Sequence, residues 1–427
     1  MNYISTRGHN CAVTSARAII KGLAEDGGLF VPENIPIIDE KFLTLLLDLS
    51  YQERAKKILS LYLTDFTAEE INQCVDNAYT TEKFDTDKIV PTVEVEKNNY
   101  LLELWHGPTS AFKDMALQLL PQFISTSLKK LGDKDELVIL VATSGDTGKA
   151  ALDGFKNVDQ TKILVFYPQE GVSKIQRLQM LTQQGDNVSV FAVKGNFDDA
   201  QSGVKQIFSD SRYNEYLNEK GFKLSSANSI NWGRLLPQIV YYFSAYADLV
   251  NDKKITMGDK VNFTVPTGNF GDILAGFYAK CMGLPVNRLI CASNSNNVLT
   301  DFLKTGTYDR NREFFKTISP SMDILISSNL ERLLYHITND ATKIKSYMEK
   351  LQSTGCYQVD EVTLKAIQET FSAGYLDDNA TKKCIHDIYQ QDNYVADTHT
   401  AVAWQLQHFA SSVSHPFHLQ PVYQWPP

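Results

Sequence analysis

ELVILVATSGDTGKAALDGF (residues 136–155) contains, in one stretch, a strand pattern, a turn and a helix pattern. The apolar, β-branched run at 136–142 is typical of a buried strand. It leads into the glycine-containing segment TSGDTG at 143–148 and then into a helical pattern. A strand that passes through a tight turn into a helix is the building unit of a parallel α/β sheet.

The same unit recurs along the chain. Further strand patterns are KILVFYP (162–168), VSVFAVKG (188–195), VNFTVPT (261–267) and RLICAS (288–293). The third of these runs into a second glycine-containing segment, GNFGD at 268–272, and then into a helical pattern. Strands that alternate with helices predict an α/β fold with mainly parallel sheets, whose ligands bind beyond the carboxyl ends of the strands.

The flanks of this region differ from it. Residues 1–90 have apolar residues at helical spacing, residues 92–104 alternate as a hairpin does, and residues 330–395 read as polar helices. The last 17 residues, 411–427, carry no charge and four of the 14 prolines. Because proline disrupts helices and central strands, we expect a disordered tail there.

Composition excludes several classes of function. A net charge of −9 disfavours broad binding to nucleic acid. The longest apolar runs are too short to cross a membrane, and the N-terminus shows no signal-peptide pattern, so we expect a cytoplasmic protein. The six cysteines form no CxxC pair, and the eight histidines form no metal-binding motif, so we expect reduced thiols and no metal.

Both glycine-containing segments are candidate anion sites, because glycines expose backbone N–H groups at the start of a helix. In the first, the hydroxyls of Thr143, Ser144 and Thr147 add donors; the alternative is a tight turn capped by Asp146. In the second, Gly268 and Gly271 allow a ligand to approach the backbone closely. The first segment resembles a P-loop only superficially, because it is too short and lacks the final serine or threonine, and the second lacks the Gly-x-Gly-x-x-Gly of a dinucleotide-binding motif.

SANSINWGRLLPQ (226–238) places Ser229, Asn231 and Arg234 ahead of a helical pattern. An arginine fork suits a phosphate or a carboxylate. The alternative is a surface arginine beside a capping serine.

Lys113, in WHGPTSAFKD (105–114), lies at the predicted start of a helix between Phe112 and Asp114. A helix N-terminus and apolar neighbours both disfavour the cation, so they favour the neutral amine that attacks aldehydes. The alternative is an exposed lysine paired with Asp114. Together, the lysine, two anion sites and an arginine fit a cofactor with an aldehyde and a phosphate, plus an anionic substrate.

In order and spacing, these segments resemble threonine synthases of the longer bacterial and fungal kind. The resemblance covers about residues 1–410 and rests on HGPTSAFKD, ATSGDTGKAA, SSANSINWGRLL and VPTGNFGDILAGFYAKCMGLPV, with YISTRG and DGGLFVP near the N-terminus. It implies a fold-type II pyridoxal-phosphate enzyme, similar to the tryptophan synthase β subunit. It also implies an N-terminal domain at 1–90, and a catalytic core at 91–410 whose smaller lobe includes roughly 130–200.

The implied reaction converts O-phospho-L-homoserine and water to L-threonine and phosphate. The resemblance implies that Lys113 binds pyridoxal 5′-phosphate as a Schiff base and then moves protons. The implied cofactor contacts are Gly268, Asn269, Phe270, Gly271, Asp272 and Asp146. The implied substrate contacts are Thr143, Ser144, Gly145 and Thr147, with Ser229, Asn231 and Arg234 on the substrate's phosphate. A monomer or small homo-oligomer is expected.

The C-terminus departs from the family. The family ends with a strand and a Thr-Ala-x-Pro-like turn whose threonine meets the ring nitrogen, whereas this chain has HPFHLQPVYQWPP after THTAVAW. The tail therefore predicts a truncated or frame-shifted end and a missing core strand. Two alternatives stay open: another fold-type II lyase of the dehydratase kind, and a cofactor-binding remnant without turnover.

Overall fold

The structure is a computed structural model that describes residues 1–8, 11–143, 145–169, 172–195, 197–410 and 418–423. The N-terminal part is helical, as predicted: α1 Ser15–Lys21, α2 Glu40–Leu47, α3 Tyr51–Tyr62 and α4 Ala68–Ala78, with the short antiparallel strands β1 Tyr3–Ser5 and β2 Phe30–Pro32. Capping boxes start two of the helices, because Ser50 and Glu53, and Thr67 and Glu70, satisfy each other's backbone N–H groups.

The predicted hairpin is present, formed by β3 Thr92–Glu96 and β4 Asn99–Glu103. The helical run that follows it is broken into a four-residue helix, α5 Asp114–Leu117, and a longer helix, α6 Leu120–Leu131.

A four-stranded parallel sheet is built from residues 136–225. Its strands are β5 Glu136–Ala142, β6 Thr161–Pro168, β7 Val188–Val193 and β8 Phe222–Ser225, in the order β7-β6-β5-β8. The helices of this region are α7 Asp146–Phe155, α8 Lys174–Leu181, α9 Phe197–Ser209 and α10 Ser211–Glu219. The predicted strands at 136–142, 162–168 and 188–195 are therefore confirmed.

Most of the remaining chain surrounds a six-stranded sheet. The elements are α11 Trp232–Asn251, β9 Val261–Pro266, α12 Gly271–Met282, β10 Val286–Ser293, α13 Val298–Thr305, β11 Thr307–Asp309, a 3₁₀ turn Pro320–Met322, α14 Leu330–Thr338, α15 Ala341–Ser353, β12 Cys356–Gln358, α16 Glu361–Gln368, β13 Phe371–Tyr375, α17 Asp378–Asp392, α18 Thr398–Ala410 and β14 His418–Val422. The sheet order is β13-β10-β9-β14-β4-β3, parallel except for the hairpin. All six residues of β9 are buried, as expected of an interior strand.

The prediction that residues 411–427 form a disordered tail without a central strand is wrong for residues 418–422. Strand β14 lies between β9 and β4 and pairs with β4 over its whole length. Its pairing with β9 stops at Leu419, so Pro421 lies beyond the end of that ladder. Residues 411–417 and 424–427 are outside the described residues.

The four-stranded sheet and the six-stranded sheet confirm the predicted α/β class with mainly parallel strands. The proposed domain bounds at 90 and 410 remain a proposal. Within the described residues, no helix is both long enough and apolar enough to span a bilayer.

Replacing Leu419 with alanine tests whether β14 belongs to the core. Leu419 is fully buried, and truncating a buried leucine costs about 2–5 kcal/mol through lost burial and a residual cavity. We expect the free energy of unfolding, from denaturant titration, to fall by that amount. Leu45→Ala on α2 is the matched control, because Leu45 is 47% exposed. Equal losses in the two variants would contradict a buried β14.

Candidate active site

Lys113 lies where the loop after β4 enters α5, and its amine faces the end of β5. Its Nζ lies 3.5 Å from Asp146 Oδ2 and 3.4 Å from Ser321 Oγ. The alternative pairing with Asp114 is wrong, because both oxygens of that carboxylate accept hydrogen bonds from Thr109, at 2.8 Å and 2.7 Å. The amine is thus positioned by residues distant in sequence.

Burial lowers the pKa of Lys113 below its ordinary value. The negative charge of Asp146 opposes this shift, while the positive charges of Arg234 and Lys149 add to it. The expectation of a depressed pKa agrees with the structure, but its cause is burial more than the helix end, since α5 has only four residues. A less basic amine is the better nucleophile near neutral pH.

Asp146 starts α7 and remains ionised. Burial by itself would raise its pKa, but the charges of Lys113 and Lys149, the hydrogen bond from Ser321 and the charge of protonated His399 together outweigh burial and lower the pKa to about 2. Its two oxygens accept hydrogen bonds from the hydroxyl of Ser321 and the amide of Gln176. Asp146 is therefore a charged partner of the lysine as well as the first residue of a helix.

The turn at 143–148 is closed by one threonine. Thr143 Oγ1 accepts hydrogen bonds from the backbone N–H groups of Gly145 (2.9 Å) and Gly148 (3.0 Å). Gly145 has φ +146°, a backbone conformation that other residues rarely adopt, so this position favours glycine. Thr147 is half-buried in the first turn of α7. Ser144 lies outside the described residues.

The 268–272 segment joins β9 to α12. The carbonyl of Gly268 accepts from Ser327 Oγ at 2.7 Å, and the carbonyl of Asn269 accepts from the backbone and side chain of Asn329 at 3.1 and 3.0 Å. Phe270 has a left-handed backbone with φ +61° and packs its buried ring near Phe371.

Beside Gly271 there is space for a ligand atom. A Cβ built there would lie 3.6 Å from Asn329 Nδ2 and 3.7 Å from Gln238 Nε2, with the Cβ of Ser229 at 4.0 Å. The start of α12 is therefore faced by two side-chain amide nitrogens, each of which donates one hydrogen to a backbone carbonyl and has a second hydrogen for an anion.

Asp272 has a different environment from the rest of the segment. Its carboxylate accepts hydrogen bonds from Tyr241 (2.6 Å), Tyr242 (2.8 Å) and Tyr423 (2.7 Å). Burial raises its pKa, and the three hydroxyls oppose that shift. The side chain thus organises buried tyrosines, which leaves its backbone N–H as the group for the predicted cofactor contact.

Asn231 caps α11 with its side chain. Its Oδ1 accepts from Gly233 N at 2.9 Å, while its Nδ2 donates to Ile19 O at 2.9 Å and Ser226 O at 3.2 Å. Since both N–H groups of the amide are already used, the side chain has no donor left for the predicted phosphate contact.

Arg234 lies on α11 and is buried, so the surface-arginine alternative is wrong. Its Nη1 donates to Ala227 O at 2.5 Å, but its buried Nε has no hydrogen-bond partner. No carboxylate among the described residues forms an ion pair with it. Burial lowers its pKa to about 10, which still leaves a cation at neutral pH. A buried cation without a counter-ion fits a site for an anionic ligand.

Ser321 and His399 were not predicted from sequence, although they lie in the site. Ser321 belongs to the 3₁₀ turn, and its backbone N–H donates to His399 Nε2 at 3.2 Å. His399 Nδ1 in turn lies 2.9 Å from Asp397 Oδ1. The segment SPSMDI contains no glycine, and no local spacing connects it with Lys113, 208 residues away.

Known proteins resemble this chain over most of its length. A family model described as the threonine synthase N terminus matches residues 2–79. Threonine synthase of Schizosaccharomyces pombe is 39% identical, over 94% of this chain and 82% of the relative. The structure of PLP-bound threonine synthase from Brucella melitensis has a TM-score of 0.93 at 38% identity, and the match covers 100% of this chain and 89% of that one. Human threonine synthase-like 1 is 42% identical over 91% of this chain.

The two sheets, with the lysine loop and both glycine segments at their carboxyl edges, define the fold-type II class of α/β proteins. The identities to threonine synthases extend over nearly the whole chain. The chain belongs to the threonine synthase family. It spans about half the length (53%) of the threonine synthase-like 1 proteins that it matches.

Replacing Asp146 with asparagine tests the electrostatics of Lys113. Asp146 is the negative charge that raises the lysine's pKa, so its loss leaves burial and two cations unopposed. We expect the apparent pKa of Lys113 to fall by about one unit or more. It can be measured from the pH dependence of Lys113 acetylation in cofactor-free protein, by mass spectrometry. The exposed Lys345 serves as an internal reference. An unchanged or raised pKa would refute the assigned pairing.

Proposed function

We propose that this chain is a threonine synthase that converts O-phospho-L-homoserine and water to L-threonine and phosphate. One observation carries the proposal. A half-buried lysine of lowered pKa lies between Asp146 and Ser321. The positive charge of the buried Arg234, which forms no ion pair among the described residues, acts on the same amine. Family membership supports the same reaction.

Pyridoxal 5′-phosphate is the proposed cofactor, and the residues present fit it. Its aldehyde would bond to Lys113, and its phosphate would be held at the start of α12 by Gly268, Asn269, Phe270, Gly271 and the backbone of Asp272. The amide nitrogens of Asn329 and Gln238 beside Gly271 support this position. When bound, the cofactor supplies an electron sink for the carbon atoms that lose protons.

The protein's own groups would position the lysine amine and bind the substrate. Asp146 keeps a negative charge next to the Lys113 amine. This charge would hold the amine in place when the amine is not bonded to the cofactor and can accept or donate a proton. The turn closed by Thr143, with Ser144, Gly145 and Thr147, would bind the substrate's carboxylate. Burial of Thr143 and Asp146 would strengthen these charge contacts by excluding water.

The substrate's phosphate is assigned to Arg234 and Ser229. Asn231, predicted for the same role, would act indirectly by fixing the start of α11, since its own donors bond to backbone carbonyls. A lyase of the dehydratase kind acts on a substrate with one fewer anion, which would leave the buried Arg234 without a counter-ion. The arginine therefore favours the phosphorylated substrate over that alternative.

The remnant without turnover was suggested by the C-terminal tail. That alternative depended on a missing core strand, but β14 pairs with both β4 and β9 in the six-stranded sheet. Tyr423 follows that strand where the family has a threonine-containing turn, and the one proton of its hydroxyl is shared between an Asp272 carboxylate oxygen and the Pro266 carbonyl oxygen. Cytoplasmic location and a monomer or small homo-oligomer complete the proposal.

Lys113→Ala tests the attachment of the cofactor. In the unmodified protein, borohydride treatment after loading with pyridoxal phosphate should fix the cofactor on the peptide that contains Lys113, because the C=N bond becomes a stable amine. The variant should fix none there. Lys345→Ala, which removes an exposed lysine, is the control and should behave like the parent protein. Covalent trapping on a different lysine would refute the assignment.

Arg234→Ala tests the phosphate contact. A hydrogen bond to a charged group contributes about 1.5–3 kcal/mol, so kcat/KM for O-phosphohomoserine should fall about 10- to 150-fold. The absorbance of the bound cofactor should persist, because Arg234 is assigned to the substrate. Arg17→Ala, at an exposed arginine, is the control. Unchanged kinetics in Arg234→Ala would remove this residue from the site and reopen the dehydratase alternative.

A further inference from the structure

The side chain of Ser321 contacts both members of the Lys113–Asp146 ion pair. Its hydroxyl donates a hydrogen bond to Asp146 Oδ2 and lies 3.4 Å from Lys113 Nζ. The same carboxylate oxygen lies 3.5 Å from the amine. The lysine, the serine and the aspartate therefore form a closed triangle of polar groups.

The backbone of Ser321 is fixed on two sides. Its N–H donates to His399 Nε2 at 3.2 Å, and its carbonyl oxygen would lie only 2.4 Å from a Cβ on Gly268. Because Nε2 accepts a hydrogen bond, the proton of neutral His399 is on Nδ1, which faces Asp397 at 2.9 Å. His399 thus holds the backbone of Ser321 and is not a base acting on its hydroxyl.

We propose that Ser321 is a positioning residue for Lys113: its hydroxyl accepts a hydrogen bond from the amine and donates one to Asp146, which limits how strongly Asp146 holds the amine's proton. The proposal rests on the proposed function in one respect, namely that Lys113 is the amine that carries the chemistry. Ser321 has no such role in the predictions made from sequence or from family resemblance.

The charged groups that face Lys113 decide the direction of the effect. They are Asp146 and Lys149 from α7 and Arg234 from α11, and His399 from α18 acts on Asp146 when its ring is protonated. The hydrogen bond from the hydroxyl lowers the pKa of Asp146, whereas the contact of the hydroxyl with the amine, at 3.4 Å, is long for a hydrogen bond. Removing the hydroxyl should therefore leave a carboxylate that attracts the amine's proton more strongly, and the pKa of Lys113 should rise.

The test is the pH dependence of Lys113 acetylation in the full chain without cofactor, for Ser321→Ala, Ser321→Thr and a control. We expect Ser321→Ala to raise the apparent pKa of Lys113 by about 0.5–1 unit, the equivalent of one net hydrogen bond. Ser321→Thr keeps the hydroxyl and should restore the parent value. Ser353→Ala, at an exposed serine of α15, is the matched control and should cause no shift. A lowered or unchanged pKa in Ser321→Ala would overturn the proposal, and so would a threonine variant that behaves like alanine.

A second measurement separates this proposal from the proposed function. In protein loaded with pyridoxal phosphate, the pH profile of kcat should move to higher pH in Ser321→Ala and return in Ser321→Thr. If borohydride traps no cofactor on Lys113 in the parent protein, the proposed function fails, while the acetylation experiment still tests Ser321. If the cofactor is trapped and neither profile moves, the proposal for Ser321 alone fails.

Discussion

The ion pair between Lys113 and Asp146 is the contact on which the site depends. It joins the loop after β4, in the six-stranded sheet, to the helix after β5, in the four-stranded sheet. A buried pair is tolerated only when its remaining hydrogen-bonding groups are satisfied. Here Ser321 and Gln176 satisfy the carboxylate, and Lys149, whose amine donates to Thr109 O at 2.9 Å, adds positive charge nearby. Loops from both sheets therefore meet at the Lys113–Asp146 pair, whose carboxylate is satisfied by neighbouring hydrogen bonds.

The fold was predictable wherever the local pattern was strong. Strands β5 and β6 contain continuous apolar runs, and β9 is rich in valine and phenylalanine. The helices after β5 and β9 begin at glycine-containing turns. Strands β13 and β14 were missed for a physical reason. FSAGY is short and weakly apolar, and β14 carries proline, histidine and glutamine at buried positions. Such segments become strands because a neighbouring strand pairs with them, and local sequence does not contain that information.

The site was predictable as a set of segments but less so as a set of contacts. Lys113, the 143–148 turn and the 268–272 segment all lie at the carboxyl edges of strands, as the α/β pattern predicts. The roles of single side chains depended on partners far along the chain. The side chain of Asn231 is hydrogen-bonded to Ile19, that of Asp272 to Tyr423, and that of Lys113 to Ser321. Residue type and spacing indicate which groups are chemically capable, whereas the tertiary structure determines which of them are free.

The position of β14 has a consequence for how the protein folds. Until residues 418–422 insert, β4 with β3 and β9 with β10 and β13 are two separate half-sheets with open edges. Each edge is a template for pairing with another chain, so we expect a polypeptide in which β14 has not yet inserted to be prone to aggregation. The lysine loop follows β4 and the start of α12 follows β9, on opposite sides of that gap. Because β14 comes last in sequence among the described strands, we expect the two halves of the site to reach their final separation only after residues 418–422 have been synthesised and have paired, and ligand binding to become possible only then.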